Sequence, residues 1–537
     1  MVSGLASISI GLSVVASVSA FIRSARRQNR RPTIGSILVA LFVVPSLAAS
    51  VSGLTAAPLE MLSRIPGLSI MAWLIATALL VLLCAIGGHV LGFVMGEARG
   101  PQAGDVMRGA QLSTADRWRK RTQRMQARSA DVISLAGLAI ERADEPKHFL
   151  LMGTTGTGKS VAIREMLCGA QARGDRAIIA DPDGGFLSRF YNAARGDVIL
   201  NPFDARSAVW DMMGEVPNDF AAEQLAASLI PSPGGNADAT WAARARTLLT
   251  AILRRGRLTG IDTAEVYRLF AMADRAELRA MLAGTAAEPF LAEGAARLFD
   301  SVRSSSGDAM SALEYAASTT GGQSFSLTRW ASDPDDRRWV FLPYRADQIA
   351  ALKALIGPWM RLAIFATMSR PEGDTTPTWF VADELDAIGK IEGLDDALQR
   401  IRKFGGRCVL GFQTIGKVRA MYGDGAAAAL VENCSTRLIL RCAGGDTAST
   451  ARFASSLIGQ HSYMQQSFNE GAAPGGKSWG HSLSAHTDDA VMPSEIERLP
   501  DLSGYLKVPS KPEWFLAKVT YQEMSQRTAT FVGVWAT

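Results

Sequence analysis

One glycine-rich octapeptide, Gly153-Thr-Thr-Gly-Thr-Gly-Lys-Ser160, restricts how this chain can fold more than any other feature. It follows the apolar run His148–Met152 and precedes a helix-like stretch, Val161–Leu167. The pattern G-x-x-x-x-G-K-S between a strand and a helix is typical of a phosphate-binding P-loop. Glycines let successive backbone N–H groups turn inward, and the helix N-terminus adds partial positive charge. The segment therefore predicts an α/β fold that binds a nucleoside triphosphate.

The P-loop residues are predicted to surround the phosphates of ATP. Lys159 would reach the β- and γ-phosphates, and the Ser160 hydroxyl would bind Mg²⁺. The predicted nucleotide contacts in this segment are Gly153, Thr154, Thr155, Gly156, Thr157, Gly158, Lys159 and Ser160.

A second acidic element is needed to hold Mg²⁺ and to orient water. The apolar run 378–382 ends in two carboxylates, Asp383 and Glu384, which is the form of a Walker B motif. We predict that Asp383 binds Mg²⁺ and that Glu384 polarises the attacking water. Together with the P-loop, the pair predicts an ATPase.

Two further polar residues follow apolar strands. Gln413 ends the run 407–412, at the position of a γ-phosphate sensor, with a structural capping role as the alternative. Asp181 ends the run 177–180, at a carboxyl strand edge beside the nucleotide crevice, unless it only caps the turn that follows. We therefore predict Gln413 as a catalytic residue and Asp181 as a nucleotide contact.

The N-terminal hundred residues indicate a membrane anchor. Residues 32–59 carry no charge, and 65–96 carry none apart from the titratable His89. Each run exceeds the roughly 20 residues that cross a hydrocarbon core. Basic residues flank the pair on its outer sides, so both flanks are predicted to be cytoplasmic. A third uncharged stretch, 1–22, is read as a further span, with a signal peptide or an interfacial helix as alternatives.

Composition adds bounds on partners and compartment. The net charge is +5, and six of the twelve residues from Arg117 to Arg128 are basic. That cluster is a solvated helix face, a contact for anionic lipid headgroups or a contact for a nucleic-acid backbone. The five cysteines form no C-x-x-C pair and the five histidines no ligand-spaced cluster, so we expect no structural zinc and no disulfides. This usage suits a reducing cytosol.

The order of strand-like and helix-like segments predicts domains. Strands alternate with helices across 131–210 and 335–450, which indicates a parallel sheet, whereas 211–325 shows helical spacing throughout. A polar, glycine-rich stretch at 464–490 is expected to be a mobile loop. The predicted layout is a transmembrane anchor at 1–100, a basic juxtamembrane linker at 101–130, a nucleotide-binding domain at 131–210 and 326–537, and an all-α domain at 211–325.

The ordered set of motifs resembles the type IV coupling proteins of conjugation and type IV secretion. The resemblance implies a RecA-like P-loop motor domain with an inserted all-α domain and N-terminal transmembrane helices. It covers nearly the whole chain. The motifs that carry it are the P-loop, Asp181-Pro-Asp-Gly-Gly-Phe-Leu-Ser188, Val198-Ile-Leu-Asn-Pro-Phe-Asp-Ala-Arg206, Phe380-Val-Ala-Asp-Glu384, Arg402-Lys-Phe-Gly-Gly-Arg407, Gly411-Phe-Gln413, Met492-Pro-Ser-Glu-Ile496 and Leu499-Pro-Asp-Leu502.

The family resemblance also implies a function and partners. Members are thought to form homo-hexamers in the bacterial inner membrane, with the motor domain in the cytoplasm, and to pump DNA toward a type IV secretion channel at the expense of ATP. The implied partners are DNA, single-stranded in preference to double-stranded, the relaxase or relaxosome, channel components and the membrane. By position, Arg402 resembles the family's arginine finger, with Arg400, Lys403 and Arg407 close enough to compete for the role.

Two alternative functions remain open at this point. One is a docking ATPase that delivers protein substrates to a type IV secretion system without gripping DNA; salt-sensitive DNA binding separates it from a pump. The other is an FtsK-type translocase of double-stranded DNA, which normally carries more spans and a C-terminal winged helix. A transporter is disfavoured, because the predicted spans contain no carboxylates, lysines or arginines.

Overall fold

The structure is a computed structural model. It describes residues 106–126, 132–231, 236–371, 373–445, 449–473 and 476–534, together with 15, 17–20, 30–31, 75, 78, 81–87, 90 and 97–98. The predicted membrane spans lie almost entirely outside these residues and stay a prediction. The chain divides into two compact units, one of residues 1–107 and 463–486 and one of 108–462 and 487–537. The second unit contains the predicted site.

A ten-stranded sheet runs through the second unit. Seven neighbouring strands are parallel, because each connection between them crosses over through helices. Two antiparallel strand pairings follow at one side of the sheet. The strands are β1 (Leu112–Thr114), β2 (Phe149–Met152), β3 (Arg176–Pro182), β4 (Val198–Ile199), β5 (Val340–Tyr344), β6 (Thr378–Ala382), β7 (Gly406–Phe412), β8 (Thr436–Ile439), β9 (Ser503–Lys507) and β10 (Trp514–Lys518). Their order across the sheet is β1-β10-β9-β8-β2-β7-β6-β3-β5-β4.

Apolar side chains cover both faces of the parallel strands. In β2, Leu150 and Met152 join one core cluster, whereas Phe149 and Leu151 join the cluster on the other face. Strands buried on both faces need continuous apolar runs, which is the pattern of 149–152 and 340–344. The predicted α/β class with a central parallel sheet is therefore confirmed.

Seventeen α-helices are assigned within the described residues of the second unit. Short 3₁₀ turns at Glu145–Lys147, Ala193–Arg195, Met213–Glu215 and Arg402–Phe404, and a π-helical turn at Arg268–Met272, join some of them. The helices are α1 (Asp116–Gln126), α2 (Lys159–Ala172), α3 (Leu187–Phe190), α4 (Asp219–Leu229), α5 (Asn236–Thr259), α6 (Thr263–Tyr267), α7 (Arg275–Met281), α8 (Glu288–Leu291), α9 (Ala296–Ser304), α10 (Gly307–Ser318), α11 (Leu327–Ser332), α12 (Ile349–Met368), α13 (Leu394–Ile401), α14 (Ile415–Tyr422), α15 (Asp424–Asn433), α16 (Thr450–Ile458) and α17 (Pro493–Glu497).

The helices α4 to α10 form an insertion in the α/β core. Its two ends meet, since Val209–Trp210 pairs in parallel with Ser324–Phe325. Arg361 of α12 ties α4 to the core, because its guanidinium donates to the Gln224 and Glu392 carbonyls, at 3.1 Å each. An all-α insertion is thus present, as predicted; its boundaries at 211 and 325 stay a prediction.

One described helix, α12, is long and apolar enough to cross a membrane. Two thirds of its most apolar window (67%) is buried within the protein, and its residues Leu355, Ile356 and Trp359 belong to the core cluster. It therefore has the burial of a core helix of the second unit.

The prediction of a mobile loop over 464–490 is wrong. Two strands occupy this region, Gln460–Ala473 and Gly476–Asp489. At their base within the second unit, the Ser462 and Thr487 hydroxyls share a hydrogen bond of 2.7 Å. Strand pairing satisfies backbone groups without an apolar face, so the missing apolar period was no evidence against strands.

A buried ion network lies at the amino ends of the parallel strands. Glu145, 1% exposed, accepts bonds from Arg173 at 2.7 and 3.0 Å and from Arg407 at 2.9 Å. Arg173 also bonds Asp175, whose carboxylate accepts the indole N–H of Trp379 at 2.9 Å. Two carboxylates thus compensate two buried guanidinium groups, and Glu145 is shared by both arginines.

Removing that carboxylate charge should destabilise the fold. We expect Glu145→Gln to lower the free energy of unfolding by about 3–5 kcal/mol, because buried Arg407 loses its carboxylate partner and Arg173 keeps only Asp175. Glu223→Gln is the matched control: it disrupts the exposed pair with Arg254 and should cost less than about 1 kcal/mol. Denaturant unfolding followed by tryptophan fluorescence measures both, and equal costs would contradict the network's role.

Candidate nucleotide-binding site

The predicted P-loop links the carboxyl end of β2 to α2, near the middle of the sheet. Gly156 and Gly158 adopt positive φ angles of +79° and +113°, which side chains rarely tolerate. A Cβ on Gly158 would lie 2.7 Å from a methyl carbon of Leu502. Glycine is therefore required there by both backbone angle and space.

Distant segments hold the loop in shape. The Thr154 N–H donates to the Arg441 carbonyl at 2.9 Å, and the Leu502 N–H donates to the Thr157 carbonyl at 2.9 Å. Lys159 is buried, with its ammonium donating to the Gly153 carbonyl at 2.7 Å. The contacts of Arg441 and Leu502 were not predicted as site contacts; only the quoted motif Leu499–Leu502 pointed toward this part of the chain.

Ser160 and Asp383 lie together, as predicted. The Ser160 hydroxyl donates to Oδ2 of Asp383, whereas Oδ1 of Asp383 is buried and has no hydrogen-bond partner within the described part of the chain. Burial raises the pKa of Asp383, although Ser160 and Lys159 oppose that shift. A hydroxyl beside a carboxylate with a spare buried oxygen is a donor set that fits Mg²⁺.

A hydrogen-bonded chain joins the P-loop to the second predicted carboxylate. The Thr155 hydroxyl donates to the Gln413 amide oxygen at 3.0 Å, and the Gln413 amide nitrogen donates to Glu384 at 2.7 Å. Burial and the neighbouring Asp383 charge raise the pKa of Glu384. Gln413 therefore contacts both the loop and the carboxylate.

The carboxylate of Asp181 caps the turn that follows β3. Its two carboxylate oxygens accept the Phe186 N–H at 3.0 Å each, and one also accepts the Leu187 N–H at 2.6 Å. Complete burial raises the pKa of Asp181 to about 7. These bonds fit the capping alternative, and the contact of Asp181 with a nucleotide stays a prediction.

Tyr344 is a neighbour of the site that the sequence did not single out. It ends β5 in register with Pro182, and its buried hydroxyl has no hydrogen-bond partner within the described residues. Burial is the largest cause that raises the pKa of Tyr344, and the negative charges of Glu384 and Asp383 are the next largest. Only the register of β5 against β3 reveals this position.

Arg402 lies at the opposite edge of the sheet. It precedes β7, whose seven residues span about 23 Å before the chain reaches Gln413. The residue is exposed and lines a cleft of about 590 Å³ with Arg142, Thr376 and Arg407. Within one chain, Arg402 therefore does not join the other predicted site residues.

The competing basic residues are distinguished by burial. Arg407 is 5% exposed and is held by Glu145 and by the Gly405 carbonyl at 2.6 Å, so it cannot extend outward. Arg400 and Lys403 are exposed like Arg402. The burial of Arg407 removes it from the candidates for an arginine finger. Arg402, Arg400 and Lys403 remain.

Comparison with known proteins relates the sequence and fold of this chain to coupling proteins. The family model for the type IV secretion-system coupling protein DNA-binding domain matches residues 132–520. Coupling protein TraD of Escherichia coli K12 is 29% identical over 472 residues, which cover 86% of this chain and 65% of TraD. The chain thus spans just under two thirds of that relative.

Solved structures of the plasmid coupling protein TrwB are similar in fold. TrwB in complex with ADP and Mg²⁺ superposes with a TM-score of 0.70 at 29% identity, covering 81% of this chain and 99% of that one. TrwB with the ATP analogue ADPNP gives the same TM-score and identity, with 98% of that chain covered. By the family match across its motor domain and by this fold, the chain belongs to the type IV secretion-system coupling proteins.

Proposed function

We propose that this chain is a membrane-anchored ATPase that couples ATP hydrolysis to DNA transfer through a type IV secretion channel. The observation that carries the proposal is the hydrogen-bonded chain from Thr155 through Gln413 to Glu384, beside the Ser160–Asp383 pair. ATP and Mg²⁺ are the ligands, in keeping with the ADP–Mg²⁺ and ADPNP complexes of TrwB.

Each residue of the site has a distinct role in hydrolysis. Lys159 exchanges its bond with the Gly153 carbonyl for the β- and γ-phosphates, and the P-loop amides hold the phosphate oxygens. Ser160 and Asp383 hold Mg²⁺, which neutralises charge that develops between the β- and γ-phosphates. Glu384 accepts a proton from the attacking water, and Gln413 links its carboxylate to the loop that contacts the γ-phosphate.

The separation of Arg402 from the P-loop requires a second copy of the chain. An exposed arginine at one sheet edge reaches phosphates only in a neighbour's site, where it stabilises the transferring phosphoryl group. A closed ring, a homo-hexamer in our proposal, gives every site such a neighbour. The ring places the predicted all-α domain, 211–325, around the same axis as the motor domain, 131–210 and 326–537.

The linker helix α1 supports an anchored motor. Trp118 packs edge-on against Phe515 with ring centroids 4.9 Å apart, and Arg119 donates to the Lys518 carbonyl at 3.3 Å. These contacts fix α1 to the motor domain directly after the proposed anchor, 1–100. The motor then lies on the cytoplasmic side of the inner membrane and passes DNA, with its relaxase, to channel components.

Glu384→Gln should abolish turnover while nucleotide binding persists. Without the base, we expect a loss of about 10²- to 10⁴-fold in kcat. Because burial raises the pKa of Glu384 above the usual 4.5, wild-type turnover should rise with pH through a range above 4.5 as the base loses its proton. Asp386→Asn, the control at a neighbouring carboxylate, should keep near-normal turnover. A fully active Glu384→Gln protein would reassign the base.

Arg402→Ala should remove about 10³-fold of kcat without weakening ATP binding. Arg400→Ala, an exposed arginine two positions away, is the matched control and should remain active. Mixing Arg402→Ala with Lys159→Ala subunits should restore activity, since an intact finger then meets an intact P-loop. If the mixture stays inactive, the finger does not act between subunits.

The function as a whole is tested by ATP turnover of the full chain in lipid nanodiscs, with and without single-stranded DNA. We expect DNA to stimulate turnover, the stimulation to fall steeply as salt rises, and Lys159→Ala to be inactive throughout. Double-stranded DNA of equal length is the comparison. Turnover that an assembled protein shows regardless of DNA would favour the docking ATPase for protein substrates.

A further inference from the structure

The turn that carries Arg402 is held by three buried side chains. Its backbone carbonyls at Leu398, Phe404 and Gly405 accept hydrogen bonds from His148 at 2.8 Å, Arg370 at 3.2 Å and Arg407 at 2.6 Å, respectively. The Arg402 side chain itself is exposed. A free guanidinium thus extends from a fixed backbone.

His148 differs from the two arginines in that it forms no ion pair within the described residues, whereas Arg370 pairs with Asp374 and Arg407 pairs with Glu145. Arg370 also donates to the Ala331 and Thr376 carbonyls, and Arg407 also pairs with Glu145. Within the part of the chain that the structure describes, the imidazole of His148 bonds two groups, the Leu398 carbonyl at 2.8 Å and the Cys408 N–H at 3.0 Å. Its loss therefore affects the Arg402 turn more selectively.

The two bonds define the form of the imidazole. The backbone N–H of Cys408 is a donor, so Nδ1 must accept and carry no proton; Nε2 then carries the proton and donates to Leu398. Burial, together with the smaller effect of the nearby Arg402 and Arg407 charges, lowers the pKa of His148 to about 4, although the bond to Leu398 opposes the shift. A neutral ring in one tautomer therefore connects β7 to α13.

His148 also connects the turn to the P-loop. Its main chain continues directly into β2, five residues before Gly153, and its carbonyl accepts the Thr436 N–H at 3.2 Å. Its φ angle is +59°, an uncommon conformation for a side-chain-bearing residue. One residue thus joins three strands of the sheet to the helix that precedes Arg402.

We propose that His148 is a positioning residue for the reaction, which holds the Arg402 turn at the place where a second copy of this chain brings its nucleotide phosphates. The inference rests on the proposed function of Arg402 as a finger between subunits. The bond from Nε2 to Leu398 is the one that matters, because it restrains the last turn of α13 just ahead of Arg402. Displacement of a reacting group by about 1 Å can cost 10²-fold in rate.

Two variants separate the bonds of His148. A glutamine amide nitrogen reaches the position of Nε2, so His148→Gln keeps the bond to Leu398 and loses that to Cys408. An asparagine amide oxygen matches Nδ1, so His148→Asn keeps the bond to Cys408 and loses that to Leu398. Each variant loses one buried hydrogen bond, so their unfolding midpoints should be similar.

Turnover in nanodiscs tests the role. We expect His148→Asn to lose about 10- to 100-fold in kcat, with the KM for ATP changed by no more than about twofold, and His148→Gln to recover most of the rate. Equal kcat losses in both variants, or a wild-type rate in both, would overturn the proposal. A parallel rise in KM would mean that His148 supports its own P-loop and would overturn it as well.

Subunit mixing then separates this proposal from the finger itself. His148→Asn subunits retain an intact P-loop, and Lys159→Ala subunits retain an intact Arg402 turn, so their mixture should regain activity like the Arg402→Ala and Lys159→Ala mixture. If only the Arg402→Ala mixture recovers, the finger stands and the role of His148 is refuted. If neither mixture recovers, the finger between subunits is refuted first.

Discussion

The common direction of seven strands is the constraint on which the rest of this structure depends. Parallel strands bring their carboxyl ends to one edge of the sheet, where the P-loop, Asp383 and Gln413 meet. The same rule sends Arg402, ahead of β7, to the opposite edge. The sheet therefore separates the edge with the P-loop from the edge that carries Arg402, the proposed finger, within every copy of the chain.

The two edges differ in how completely their buried polar groups are bonded. At the amino edge, Arg176 donates to the Trp330 and Ala331 carbonyls at the end of α11, where the helix carries partial negative charge. At the carboxyl edge, Asp383 Oδ1 and the Tyr344 hydroxyl have no partner within the described residues. The Thr436 hydroxyl at the amino edge also lacks a partner within the described residues, so the contrast concerns the charged groups: the bonded arginine favours rigidity, whereas an unused carboxylate oxygen suits an edge that exchanges ligands.

Local patterns predicted the centre of the site, and long-range contacts explain what they missed. The P-loop, Asp383 and Gln413 are encoded by short runs at strand ends, so they were readable without the fold. The cap formed by Asp181, the burial of Arg407 against Glu145 and the two bonds of His148 depend on segments up to 262 residues apart, which no local period records. The strands at 460–473 and 476–489 were missed for a related reason, because their polar residues mark no buried face.

The contact between Leu502 and the P-loop has a consequence for how the protein is made. Leu502 packs beside Gly158 and bonds Thr157, yet it follows Ser160 by 342 residues. At 5–20 residues per second, a ribosome needs roughly 20 to 70 s to cover that distance. During this interval the segment for the proposed membrane anchor has already been synthesised, while the P-loop still lacks its contact with Leu502. If the proposed anchor is correct, the nascent chain has its membrane segment well before the P-loop gains its contact with Leu502.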